Sequence, residues 1–222
     1  MQPSDKEMRQ ARPDASAGFD IFPASSDSHP RMTIKPWKFI SSKLLNKFRI
    51  FSVRSDIRLS PRTGREHDLF VIECTNWCNV IAITPDQKIV MVEQYRPGSD
   101  TVELEIPGGM IDAEDGSPVA AGVRELREET GYEGRDARLL GEIFPNPAIM
   151  NNTCYTIIVE DCRCIHPLEL DAGEDMATRL VPVADIPKLV AENKIGHSLV
   201  AVALYYFELW QRGLKPTPKP DS

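Results

Sequence analysis

The stretch that decides the reading is 107-PGGMIDAEDGSPVAAGVRELREETGY-132, a paired-glycine turn leading through an acidic loop into a charged helix. Ser117 is a good N-cap, Pro118 suits the first helical position, and Gly131 can stop the helix in a left-handed conformation. Val119, Val123, Leu126 and Thr130 recur at helical spacing and predict one buried stripe. At about 100° per residue, Glu125, Glu128 and Glu129 share a sector of roughly 100°, which the spacing sets apart from that stripe. Arg124 and Arg127 flank it. On an isolated helix such acids form an ordinary solvated face, at a cost of a few tenths of a kcal/mol from like charges.

Its setting gives this helix a second reading. "ELEIPGG" (Glu103 to Gly109) precedes it, and two glycines let backbone approach a ligand or expose a carbonyl. Hard divalent cations such as Mg²⁺ take oxygen ligands and are held by one or two carboxylates plus substrate phosphates. A glycine-turn carbonyl with helix carboxylates supplies that set.

Working outward, the chain upstream of the glycines reads as short strands separated by turns. "FRIFSVRSDIRLS" (Phe48 to Ser60) and "HDLFVIEC" (His67 to Cys74) flank the turn "SPRTGRE". "NVIAIT" and "KIVMVEQY" flank Pro85-Asp86-Gln87, which predicts a hairpin. Downstream, "ARLLGEIF", "TCYTIIVEDC" and "MATRLVPV" read as strands. "ADIPKLVAENK" and "HSLVAVALYYFELWQRG" read as closing helices. The order predicts an α+β fold with one sheet held between helices.

A chain of 222 residues suits one substantial domain with an accessory segment. The expected division is a disordered tail over 1–30, a β segment over 31–74, the main domain over 75–213 and a flexible tail over 214–222. The first stretch lacks the charged-then-apolar order of a signal peptide and is rich in Ser, Pro, Asp and Ala. The net charge of −7 argues against nonspecific nucleic-acid binding, so an anionic substrate needs a local basic patch or metal ions. No apolar run reaches spanning length, so no membrane partner is expected. Five cysteines, an odd number over a long chain, fit reduced thiols and a cytoplasmic setting. Neither Cys74-x3-Cys78 nor Cys162-x-Cys164 has the usual zinc spacing.

The stretch Gly109 … Arg124-Glu125-Leu126-Arg127-Glu128-Glu129-Thr130-Gly131-Tyr132 resembles the Nudix box, G-x5-E-x7-R-E-U-x-E-E-x-G-U, with U aliphatic or aromatic. The second half agrees at every specified position. The first half carries one extra residue, with Glu114 or Asp115 standing in for the family glutamate. "Val92-Glu93-Gln94-Tyr95-Arg96" and "Glu103-Leu104-Glu105-Ile106-Pro107-Gly108-Gly109" are similar to the ADP-ribose pyrophosphatase and nucleoside diphosphate sugar branch, and the resemblance covers about Trp37 to Gly213.

The resemblance implies an α/β/α sandwich with mixed sheet, plus a small N-terminal antiparallel β segment used for homodimerisation. It implies Glu125, Glu129 and the Gly108 carbonyl as metal ligands, with Glu128 assisting. Arg96 would contact phosphate, Glu105 would sit at the substrate or metal site, and Glu174 would be the general base. Mg²⁺, or Mn²⁺ in its place, would be the cofactor, and a nucleoside diphosphate sugar such as ADP-ribose the substrate. NADH, GDP-mannose and a non-catalytic ligand sensor are the alternatives. Many relatives carry a Ser-Pro-Gly stretch ending in an acid after the box. Here Phe144 to Asn152 keeps a proline, lacks the acid and ends in two asparagines.

Overall fold

The computed structural model describes residues 34–170, 173 and 175–214. Three antiparallel strands come first: β1 (Lys38–Lys47), β2 (Phe51–Leu59) and β3 (Glu66–Cys74), in the order β1-β2-β3. Gly64, at φ 65, closes the β2–β3 turn, where its N–H donates to the Ser60 carbonyl. β1 is exposed along its whole length.

The main body holds two further sheets where the sequence suggested one. β4 (Trp77–Ala82), β7 (Gly108–Met110), β8 (Tyr132–Ile143) and β9 (Cys154–Cys164) form a mixed sheet in the order β7-β4-β9-β8. Within it β4 and β9 are parallel, and the other pairs are antiparallel. β5 (Lys88–Arg96), β6 (Thr101–Glu105) and β10 (Met176–Pro182) form an antiparallel sheet in the order β10-β5-β6.

This division corrects the hairpin expected across Pro85–Gln87. The turn itself forms, with Gln87 at φ 58 and the Thr84 N–H donating to the Lys88 carbonyl at 2.9 Å. Beyond the single bridge Ile83↔Ile89 the strands part. Both edges of β4 are taken, by β7 and β9, so β5 finds its partners elsewhere.

Strand alternation then fills two cores. On one face Val80, Ala82, Ile157 and Val159 pack with Ala121 and Leu126 of α1 (Pro118–Thr130). On the other, Ile81, Ile158 and Met91 pack with Ile186 of α2 (Ile186–Ala191) and with Val200, Leu204 and Phe207 of α3 (Ser198–Gln211). Burying each such aliphatic side chain contributes about 1.5–3 kcal/mol. The result is sheet between helices, the α/β/α arrangement.

α1 begins and ends as its caps predict: the Ser117 side chain accepts from the Ala120 N–H, and Gly131 stands at φ 71. Its buried face differs from the expected stripe. Ala121, Gly122, Leu126, Glu129 and Thr130 are buried, while Val119 and Val123 are half-buried. The small pair lets the helix approach the sheet: a Cβ on Gly122 would lie 2.9 Å from Ile157 Cγ1.

Candidate metal and phosphate site

β7 runs over α1, and this contact builds the site. The Gly108 N–H donates to Glu129 Oε2 at 2.9 Å. Glu129 therefore belongs to the covered face of the helix, only 4 % exposed, and not to the solvated sector its spacing suggested. Glu125 stands beside Gly109, where an added Cβ would come within 2.6 Å of its carboxyl carbon. Gly108 is fixed from the other side, since a Cβ there would meet Asn79 Cα at 2.7 Å. Gly108 is thus required by close approach to backbone, whereas Gly109 abuts the movable end of a carboxylate side chain.

Arg124 organises the remaining acids. Its Nε donates to Asp115 Oδ1 at 2.8 Å and its Nη1 to Glu128 Oε2 at 2.9 Å. Nη1 also lies 3.0 Å from Glu125 Oε1, and Nη2 donates to the Met110 carbonyl at 3.1 Å. Of the two loop acids left open by the sequence, Asp115 takes the enclosed, arginine-bound position, with its side chain 6 % exposed, and Glu114 is exposed. The extra loop residue is absorbed in a short 3-10 turn, Ala113–Asp115, where Asp115 Oδ2 accepts the Asp112 N–H at 2.8 Å. The hydrogen bond from Arg124 holds the Asp115 carboxyl below its ordinary range. In return, the bond to Asp115 is the largest of the effects that raise Arg124 above its own.

Arg96, at the end of β5, forms a two-pronged pair with Glu105: Nε to Oε1 at 2.7 Å and Nη2 to Oε2 at 2.9 Å. Glu105 is buried and Arg96 reaches the surface. This geometry makes Glu105 the residue that aims Arg96, three positions before Gly108. Glu174 lies outside the described residues. Among those described, no three His, Cys, Asp or Glu side chains form a metal-holding group. The donors around the turn are hard oxygens, the kind that share a divalent cation with water and substrate phosphates.

Sequence reasoning missed several supporting groups. The Met110 carbonyl on Arg124 carries no sequence signal, whereas Asp112, three residues before the already noted Asp115, has the spacing of a local cap. Asn151 and Asn152, singled out as a departure, hold the junction with the N-terminal sheet. Asn151 Oδ1 accepts the Cys74 N–H at 3.1 Å, and Asn152 Nδ2 donates to the Thr75 carbonyl at 3.1 Å.

Together these features define a mixed-sheet α/β/α domain with an acidic helix locked beneath a glycine turn. The chain belongs to the NUDIX domain family, whose pattern matches residues 78–200. It is 26% identical over 179 residues to the ADP-ribose pyrophosphatase of Bacillus subtilis (strain 168), covering 78% of this chain and 95% of that one. It is 28% identical over 185 residues to the methanol dehydrogenase activator of Bacillus methanolicus, covering 80% of this chain and 98% of the relative. A crystal structure of an ADP compounds hydrolase superposes with a TM-score of 0.72 at 20% identity, covering 82% of this chain and 98% of that one; this likeness is one of fold.

Proposed function

We propose that the protein is a Mg²⁺-dependent Nudix pyrophosphohydrolase acting on ADP-ribose or a related nucleoside diphosphate sugar. The observation that carries the reading is the lock between Gly108 and Glu129, which brings the helix acids under the glycine turn. The similarity to an ADP-ribose pyrophosphatase over most of both chains supports the substrate class.

In this reading Glu125, Glu128, Glu129 and the Gly108 carbonyl hold Mg²⁺, with Mn²⁺ as a substitute. The metal supplies charge neutralisation and an activated water. Arg96, aimed by Glu105, binds a phosphate oxygen. Glu174 removes the proton from water. Water adds to one phosphorus, the bridging P–O bond breaks, and the products are a nucleoside monophosphate and a sugar phosphate. Arg124 keeps Glu125 and Glu128 together without touching substrate.

The exposed strand β1 and the apolar side chains Phe39, Ile40, Leu44 and Leu45 support a homodimer built through the N-terminal sheet. The odd number of cysteines, spread thinly along the chain, supports a cytoplasmic setting. No helix among the described residues is long and apolar enough to cross a membrane.

The test is to incubate purified protein and Mg²⁺ with ADP-ribose, GDP-mannose and NADH, and to resolve the products by ion-exchange chromatography. AMP with ribose 5-phosphate from ADP-ribose is the expected result. Failure to cleave any of the three at high enzyme concentration would favour a ligand sensor.

A further inference from the structure

A cavity of about 390 Å³ opens between the β5–β6 turn and the first turn of α3. Its walls include Arg96, Ser99, Glu103, Gly196, His197 and Ser198. Two hydrogen-bonded routes link it to the glycine turn. Arg96 is bound to Glu105, three residues before Gly108. Asn79, the strand partner of Gly108, donates to the Leu199 carbonyl in the first turn of α3 at 3.3 Å.

The cavity walls have a defined hydrogen-bonding character. His197 Nδ1 accepts the Leu199 N–H at 3.2 Å as the N-cap of α3. An acceptor at Nδ1 places the proton of the neutral ring on Nε2, which is thereby a donor. Glu103 accepts from the Thr101 hydroxyl at 2.5 Å, and its Oε2 would lie 2.7 Å from a Cβ on Gly196, so a glycine wall lets the carboxylate fit. Hydrogen bonds from Thr101 and then Ser99 hold Glu103 below its ordinary range and keep it an acceptor. A carboxylate has about four lone-pair sites, more than these partners fill. Apart from the His197 imidazole, whose edge caps α3, no aromatic ring is found among the described lining residues, so the cavity lacks the Phe, Tyr or Trp platform on which nucleobases commonly stack. An anionic acceptor, hydroxyls and an imidazole N–H side by side match adjacent sugar hydroxyls.

We propose that this cavity seats the hydroxyl-bearing sugar on the far side of the substrate diphosphate, with Glu103 accepting from its hydroxyls and His197 Nε2 donating to them. The proposal rests on the nucleoside diphosphate sugar reading and assigns its specificity to residues outside the Nudix box.

The test uses two ligands with a non-hydrolysable P–CH2–P bridge: the ADP-ribose analogue and an ADP analogue carrying an ethyl ester in place of the sugar. Calorimetry with Mg²⁺ measures both against the full chain and against His197→Asn and Glu103→Gln. Asparagine keeps a capping acceptor and drops the distal N–H. The expected wild-type preference for the sugar ligand is roughly tenfold, and each variant reduces it roughly fivefold while leaving the ethyl ligand's affinity in place. Absence of a wild-type preference, an unchanged preference in both variants, or an equal loss for both ligands overturns the proposal. So does failure of the wild type to bind either ligand. Hydrolysis of ordinary ADP-ribose is scored separately: binding with the preference intact but no cleavage sinks the hydrolase reading and leaves the cavity assignment standing.

Discussion

The Gly108 N–H donates to a Glu129 carboxylate that is almost fully covered, so one hydrogen bond joins the glycine turn to the acidic helix. A buried carboxylate contributes charge to a metal site, whereas its amide counterpart keeps the acceptor and loses the charge. Glu129→Gln should therefore retain the fold and lose turnover by on the order of a hundredfold or more, since metal-borne stabilisation is worth several kcal/mol. Circular dichroism and Mg²⁺-dependent ADP-ribose hydrolysis are the measurements. Full activity in this variant would show that Glu129 is structural only.

Arg124 ties Asp115 to Glu128, and its bond to Asp115 makes stability depend on pH at the acid end. The Asp115 carboxyl in the folded protein lies below its ordinary value of 3.8, with the Arg124 hydrogen bond as the largest cause. A depressed carboxyl contributes stability that is fully present above the unfolded pKa. That stability is lost as pH falls from there through the folded value. Urea melts between pH 6 and 2.5 should show the wild type losing stability more steeply below about pH 4 than Asp115→Asn does. Parallel curves for the two proteins would remove Asp115 from the acid response.

The two glycines predict opposite phenotypes. A Cβ on Gly108 meets the backbone of Cys78 and Asn79, which cannot move cheaply, so Gly108→Ala should cost about 1–3 kcal/mol in a thermal or urea melt. A Cβ on Gly109 meets only the carboxylate end of Glu125. That side chain can swing away, so Gly109→Ala should leave stability nearly unchanged and depress hydrolysis by displacing the carboxylate proposed as a metal ligand. Equal destabilisation by the two substitutions would contradict the assignment of their neighbours.

The acidic helix was legible because its determinants are local: Ser117, Pro118 and Gly131 set its ends without help from distant residues. Glu129 was misplaced because helical spacing gives angles around an axis and not which neighbour crosses overhead. The turn at Pro85–Gln87 was likewise local and readable, yet strand pairing was not. Whether β5 pairs with β4 depends on β7 and β9 having already taken its edges, and those strands lie far along the chain. Arg96 and Glu105 were both singled out, but the β5–β6 register sets Glu105 across from Val92 and Arg96 across from Thr101, and only the reach of the Arg96 side chain along the sheet joins them. Asn151 and Asn152 were noticed as a departure, and only the packing of β3 against that loop shows what they hold.

The thiols give a test of the packing that needs no substrate. Burial pushes Cys78, Cys154 and Cys162 up to about 12, so at pH 8 almost none of each is thiolate, the reactive form. Cys164 is exposed, and Cys74 is half-buried with its thiol also raised by burial. A disulfide-exchange reagent at pH 8 should therefore titrate Cys164 quickly and Cys74 slowly in the folded protein, with all five reacting in denaturant. Cys78 and Cys154 lie in the β4–β9 ladder on opposite faces, Cys78 across from Tyr155 on the α1 side and Cys154 across from Trp77. Rapid labelling of either in the native state would mean that this ladder opens, and with it the support beneath Gly109. Mass mapping of the labelled peptides decides the matter.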